Sequence, residues 1–205
     1  ILKPKEHSRG SMLSGPLMLG AYANTLAAFS FAKNRNVHYG AAVQYATSGY
    51  LGVQHAQIFY QTVNSSDTNE KSLAGASIIG GISEGIMGYY FAKSAGLSPG
   101  EALMTSSNSA WCIPEGYLLA LSFQNTFSIN DLQLLRALAL GTSYYGYYIG
   151  YSLTRRYSYT IGDAIIFNNV IGLGYATMSS AAALALKGAN PSITVGAIAL
   201  AYPVS

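Results

Sequence analysis

Three segments of this chain can be laid over one another, and that property restricts its folds more than any other. Gly40-Ala-Ala, Gly100-Glu-Ala and Gly162-Asp-Ala stand 60 and then 62 residues apart. The same offsets bring Lys33, Lys93 and Arg155 into register, and also Ala28, Gly88 and Gly150, each followed by an aromatic residue. A near-constant period of this length marks a stacked array, in which each unit buries its apolar face on a neighbour. Residues 1–205 are read as one domain of three degenerate two-helix repeats, over about 11–66, 71–128 and 131–187, with 188–205 as the start of a further unit.

Each repeat reads as a helix A and a helix B. The A helices are expected over Pro16–Ala32, Ser72–Ala92 and Asp131–Leu153, where small or apolar residues recur at three- and four-residue spacing. The B helices are expected over Gly40–Tyr60, Ser98–Phe123 and Thr160–Leu186. Lys33, Lys93 and Arg155 fall at the ends of the A helices, where a cation complements exposed carbonyls. Ser98 with Glu101, and Thr160 with Asp163, have the spacing of a capping box at the start of B, whereas His38-Tyr-Gly-Ala in the first repeat lacks one. Pro114 should kink or split the second B helix, because it removes a backbone donor. The fold class is therefore all-α: glycine-rich helical hairpins, about six helices in total.

Composition enters at the question of what surrounds these helices. Only 9% of the residues are charged, against roughly 25% in soluble globular domains. Such a chain is expected to hide much of its surface in lipid or in neighbouring subunits. Charge-free runs over Ser11–Ala32, Asn36–Ser66, Ala137–Thr154 and Ala164–Leu186 are near the length of a bilayer span. A membrane-embedded or cell-envelope location is the resulting expectation. Opposing it, the runs are rich in Ser, Asn, Gln, Thr and Tyr, and the mean hydropathy of +0.25 is modest. Gly, Tyr, Asn and Thr are also plentiful in outer-membrane β-barrels, and residues 38–45 and 193–202 can be read as alternating strands. The strongly helix-forming stretches Leu132–Leu140 and Ala181–Leu186 argue against that alternative.

Small residues four apart let helix backbones approach closely. Gly81, Gly85, Gly88, Gly146 and Gly150 are the candidate helix-packing positions; the first repeat offers Gly20, Asn24 and Ala28. Glu84, mid-helix among glycines, and Glu115, which aligns with His55, are candidates for a polar transport site, since acids at such depth need pairing or hydration. The plainer reading of both is structural hydrogen bonding.

Chemistry is otherwise sparse. The net charge of +3 carries no basic stripe, so no nucleic-acid partner is expected. Cys112 is the sole cysteine, and the three histidines have no metal-ligand spacing, so neither a metal nor a cofactor is expected. No nucleophile elbow or phosphate-binding loop occurs, and the chain is not expected to be an enzyme. The expected role is a structural or scaffolding subunit of a membrane or envelope assembly, with protein partners or further copies of itself and with membrane lipid. A component of a membrane transporter or channel is the alternative.

Overall fold

The computed structural model describes residues 38–64, 69–127 and 132–185. Among them are five α-helices and no strand: α1 Tyr39–Val63, α2 Glu70–Ala95, α3 Pro99–Phe127, α4 Leu132–Thr154 and α5 Ile161–Ala185. The expected A helix over Pro16–Ala32 lies outside the described residues. Tyr39 begins a helix, which overturns the strand reading of 38–45; the other such segment, 193–202, also lies outside them.

Local chemistry accounts for the helix ends. Ser98 and Glu101 form a reciprocal box at the start of α3: the Ser98 N–H donates to Glu101 Oε2 at 2.8 Å, and the Glu101 N–H to Ser98 Oγ at 3.3 Å. Thr160 and Asp163 repeat it before α5, with the Thr160 N–H 2.8 Å from Asp163 Oδ2 and the Asp163 N–H 3.2 Å from Thr160 Oγ1. These bonds from Thr160 hold the Asp163 carboxyl below its ordinary pKa. His38, as expected, supplies no side-chain cap to α1. Lys93 occupies the last turn of α2, and Gly96 follows at φ 69°, a left-handed geometry that glycine adopts without a Cβ penalty.

Pro114 does not split its helix. α3 runs on from Pro99 to Phe127 with the ring on an exposed side.

The chain forms two compact units, Ile1–Ala95 and Gly96–Ser205, so the division falls inside the middle of the three expected repeats. In the first unit α1 packs along α2; in the second α3 packs extensively along α4 and less so against α5. In terms of the expected repeats, α1 and α3, read as B helices, pack on α2 and α4, read as the A helices that follow.

α3 has both flanks engaged, and its centre is polar. Thr105, Ser106, Ser107, Asn108 and Ser109 are consecutive and all buried. An unmatched buried hydroxyl or amide would be costly, and each of these is matched. Thr105, Ser106 and Asn108 bond back to the carbonyls of Glu101, Ala102 and Met104. Ser107 Oγ accepts from Asn168, and Ser109 shares a bond with Ser143.

This polar packing leaves the expected bilayer spans unsupported among the described helices. No described helix is long and apolar enough to cross a membrane. Hydroxyls, amides and glycines are distributed along the helix faces, as with Gln44, Gln54, His55, Gln57 and Gln61 on α1, and they dilute the apolar content that a lipid-facing span requires.

Candidate functional site

Four of the candidate glycines, Gly85, Gly88, Gly146 and Gly150, lie where helices cross. Gly81, Gly85 and Gly88 are buried on α2, and Gly146 and Gly150 on α4. A Cβ on Gly88 would stand 2.5 Å from Ser48 Oγ and 2.7 Å from Ser48 Cβ. One on Gly85 would be 3.2 Å from the Tyr45 carbonyl oxygen. On α4, a Cβ on Gly146 would approach Asn108 O and Cys112 Sγ to 2.6 Å, and one on Gly150 would reach Thr105 Cα at 2.8 Å. Two glycines missed as packing positions, Gly52 and Gly80, meet between α1 and α2, where a Cβ on Gly80 would be 2.5 Å from Gly52 O.

The two interfaces coincide in register. Ser48 against Gly88 becomes Asn108 against Gly150 when α1 is advanced by 60 residues and α2 by 62. Likewise Gly52 and Glu84, in contact in the first unit, become Cys112 and Gly146. The sequence offsets therefore mark equivalent positions at a helix crossing.

Glu84 is buried against α1 and pairs with His55. His55 Nδ1 lies 2.9 Å from Glu84 Oε1 and 3.0 Å from Oε2, with the side chains 5% and 17% exposed. Its N–H is shared between both carboxylate oxygens, so the acid at mid-helix is matched by a donor from the facing helix. The pairing escaped the sequence reading, which aligned His55 with Glu115 and Glu84 with Gly146. Setting each B helix antiparallel to the following A helix across the 64–69 link would have found it.

Glu115 has a different partner because its opposite number on α4, by register, is Gly146. It accepts a hydrogen bond from the Tyr175 hydroxyl on α5. Burial raises the Glu115 pKa, and the Tyr175 bond partly offsets the rise. Tyr175 is stacked on Trp111, with ring centroids 5.6 Å apart. Trp111 Nε1–H donates to Asn168 Oδ1 at 2.9 Å, and Asn168 Nδ2 donates to Ser107 Oγ at 2.7 Å. Trp111, Asn168 and Tyr175 thus carry the polar contact between α3 and α5, and no local motif announced them.

Cys112 borders this cluster; burial, and secondarily the charge of Glu115, push its thiol up to about 11. It is a packing group, since a thiol held protonated is a poor nucleophile. Glu84 and Glu115 belong to separate units, each with its own hydrogen-bond donor. Among the described residues no three His, Cys, Asp or Glu side chains gather in a group able to hold a metal ion. The chemistry available is hydrogen bonding and proton sharing inside helix interfaces. Comparison with protein-family models, curated proteins and solved structures gave no match.

Proposed function

We propose that the chain is a non-catalytic structural subunit that builds a membrane-attached or cell-envelope assembly through packing of its helix faces. The observation that carries this reading is the uncharged exterior. Exposed Ile79, Ile86, Met87 and Tyr90 follow one side of α2; Tyr144, Tyr145 and Tyr148 follow one side of α4; Ile165, Ile166, Val170 and Leu173 follow α5. Arg136 is the last charged residue before Arg155, and Asp163 the last before Lys187, so these surfaces lack the charges that keep monomers apart. Glu84 and Glu115 have structural partners in His55 and Tyr175, which supports a packing role for them over a transport role. Transport through these helices would also need a bilayer-crossing span, and the described helices offer none.

Sedimentation velocity in detergent-free buffer tests the proposal. Concentration-dependent association is the expected result, and a monodisperse monomer at tens of micromolar, on the scale of weak protein associations, would remove it. Retention with membranes through an alkaline carbonate wash tests the attachment separately.

A further inference from the structure

The connector between α4 and α5 combines features found together in no other described segment. It reads Arg155-Arg156-Tyr157-Ser158-Tyr159-Thr160. Arg155, Arg156, Tyr157, Ser158 and Thr160 are all exposed, Tyr157 to 61%. Residues 158–160 are non-helical. They lie between the closing turn of α4, where the Arg156 and Tyr157 N–H groups donate to the Leu153 carbonyl at 3.0 and 2.9 Å, and the capping box of α5. Neither Arg155 nor Arg156 makes an ion pair or a side-chain hydrogen bond.

The hydroxyls near the two arginines are in different states. Thr160 Oγ1 is committed to Asp163: it donates to Oδ2 at 2.8 Å and accepts the Asp163 N–H at 3.2 Å. Thr154 is buried, and its Oγ1 donates to the Tyr151 carbonyl at 2.8 Å. Ser158 is exposed, and its hydroxyl makes no such bond. Ser72 and Ser94 are also exposed and follow a lysine, but each has only that one cation before it and lies inside α2.

We propose that Ser158 is a phosphate acceptor for an arginine-directed Ser/Thr protein kinase. Such kinases select substrates by charge, their acidic pockets taking guanidiniums two and three residues before the acceptor. Arg156 and Arg155 stand at those places. The acceptor must enter the kinase cleft in non-helical backbone, which residues 158–160 supply, and the last turn of a helix opens at little cost. The site is independent of the assembly role proposed above. In the transfer, Ser158 Oγ attacks the γ-phosphorus of a magnesium-bound nucleoside triphosphate. The Oγ–P bond forms as the bond to the leaving diphosphate breaks, and the hydroxyl proton passes to the catalytic Asp of the kinase. The phosphoserine carries about −1.5 to −2 charge and three acceptor oxygens. Arg155 and Arg156 are its neighbours in the chain, and α5 begins three residues later, its positive dipole end favouring the added charge.

The test incubates the folded full chain with the catalytic subunit of an arginine-directed kinase and magnesium ATP, with peptide mass spectrometry as the readout. One phosphate on Ser158 is expected. Ser158→Ala should abolish it and leave the helical circular dichroism unchanged, whereas Ser158→Thr, which keeps a hydroxyl, should still be labelled. Replacing both arginines by alanine should lower kcat/KM for the transfer by roughly 10-fold or more, the scale of one lost hydrogen bond to a charged group. Labelling of Thr160 or of a tyrosine in place of Ser158, equal labelling without the arginines, or labelling only after urea unfolding would each overturn the proposal. Absence of any incorporation would do the same.

Discussion

One ring nitrogen of His55 serves both carboxylate oxygens of Glu84, from the facing helix, at 2.9 and 3.0 Å. Removing the acid leaves a buried imidazole without that acceptor, so Glu84→Ala should destabilise the α1–α2 unit by about 2 kcal/mol, the scale of a hydrogen bond to a charged group. Glu84→Gln retains an acceptor oxygen and should lose less. Urea unfolding followed by circular dichroism would report the order; equal loss in the two variants would mean that the pair contributes nothing specific.

The glycines divide into two groups with opposite expected signs. Gly75 lies inside α2 with nothing within 4 Å of a built Cβ, so Gly75→Ala should stabilise by roughly 0.5–1 kcal/mol through helix propensity alone. Gly88→Ala and Gly146→Ala place a methyl against Ser48 and against Cys112. Each should cost about 1–3 kcal/mol, the range for overpacking. Thermal unfolding midpoints should separate the two groups.

Glu115 should make stability depend on pH in a defined direction. Its carboxyl titrates above the usual 4.5 because burial disfavours the anion. The folded chain thus holds this proton more tightly than the unfolded chain. The contribution is fully present below pH 4.5 and declines as pH rises through the folded value. Glu115→Gln, which keeps an acceptor for Tyr175, should therefore gain stability over the parent at pH 7 and lose that gain at pH 4. A stability difference that does not change with pH would refute the assignment.

Cys112 should alkylate slowly. With the thiol pushed up to about 11 from 9.0, the thiolate fraction near pH 8 falls on the order of 100-fold, and the thiolate is the reacting species. Iodoacetamide labelling should be correspondingly faster in denaturant, and equal rates in both conditions would contradict the packed position.

Helix positions were readable from sequence because their signals are local. The boxes at Ser98 and Thr160, the alignment of Lys93 with Arg155, and the small residues of the A helices all act within a turn or two. Which helix lies on which is decided by contacts between residues remote in sequence. The reading therefore took A and B of one repeat as packed partners, whereas B packs on the next A. The pairing of His55 with Glu84 was missed for that reason, and so was the cluster of Trp111, Asn168 and Tyr175. The expected bilayer spans find no support among the described helices for a different reason: the hydroxyls and amides on those faces lower their apolar content even where charge is absent. Pro114 breaks a backbone bond in any helix, but α3 is flanked on two sides, and that packing keeps it continuous.

The crossing of Gly52 with Gly80 has a consequence for how such a chain is cut or copied. The unit that recurs in the sequence runs from A to B, while the unit that packs runs from B to A. A break within the 64–69 link, at an expected repeat boundary, parts α1 from α2 and exposes both faces of the Gly52–Gly80 contact. A break beside Gly96, in the middle of a repeat, leaves each packed pair whole. The expected repeat and the packed pair therefore share the same helices half a period apart, and the division at Gly96 falls where the sequence shows no seam.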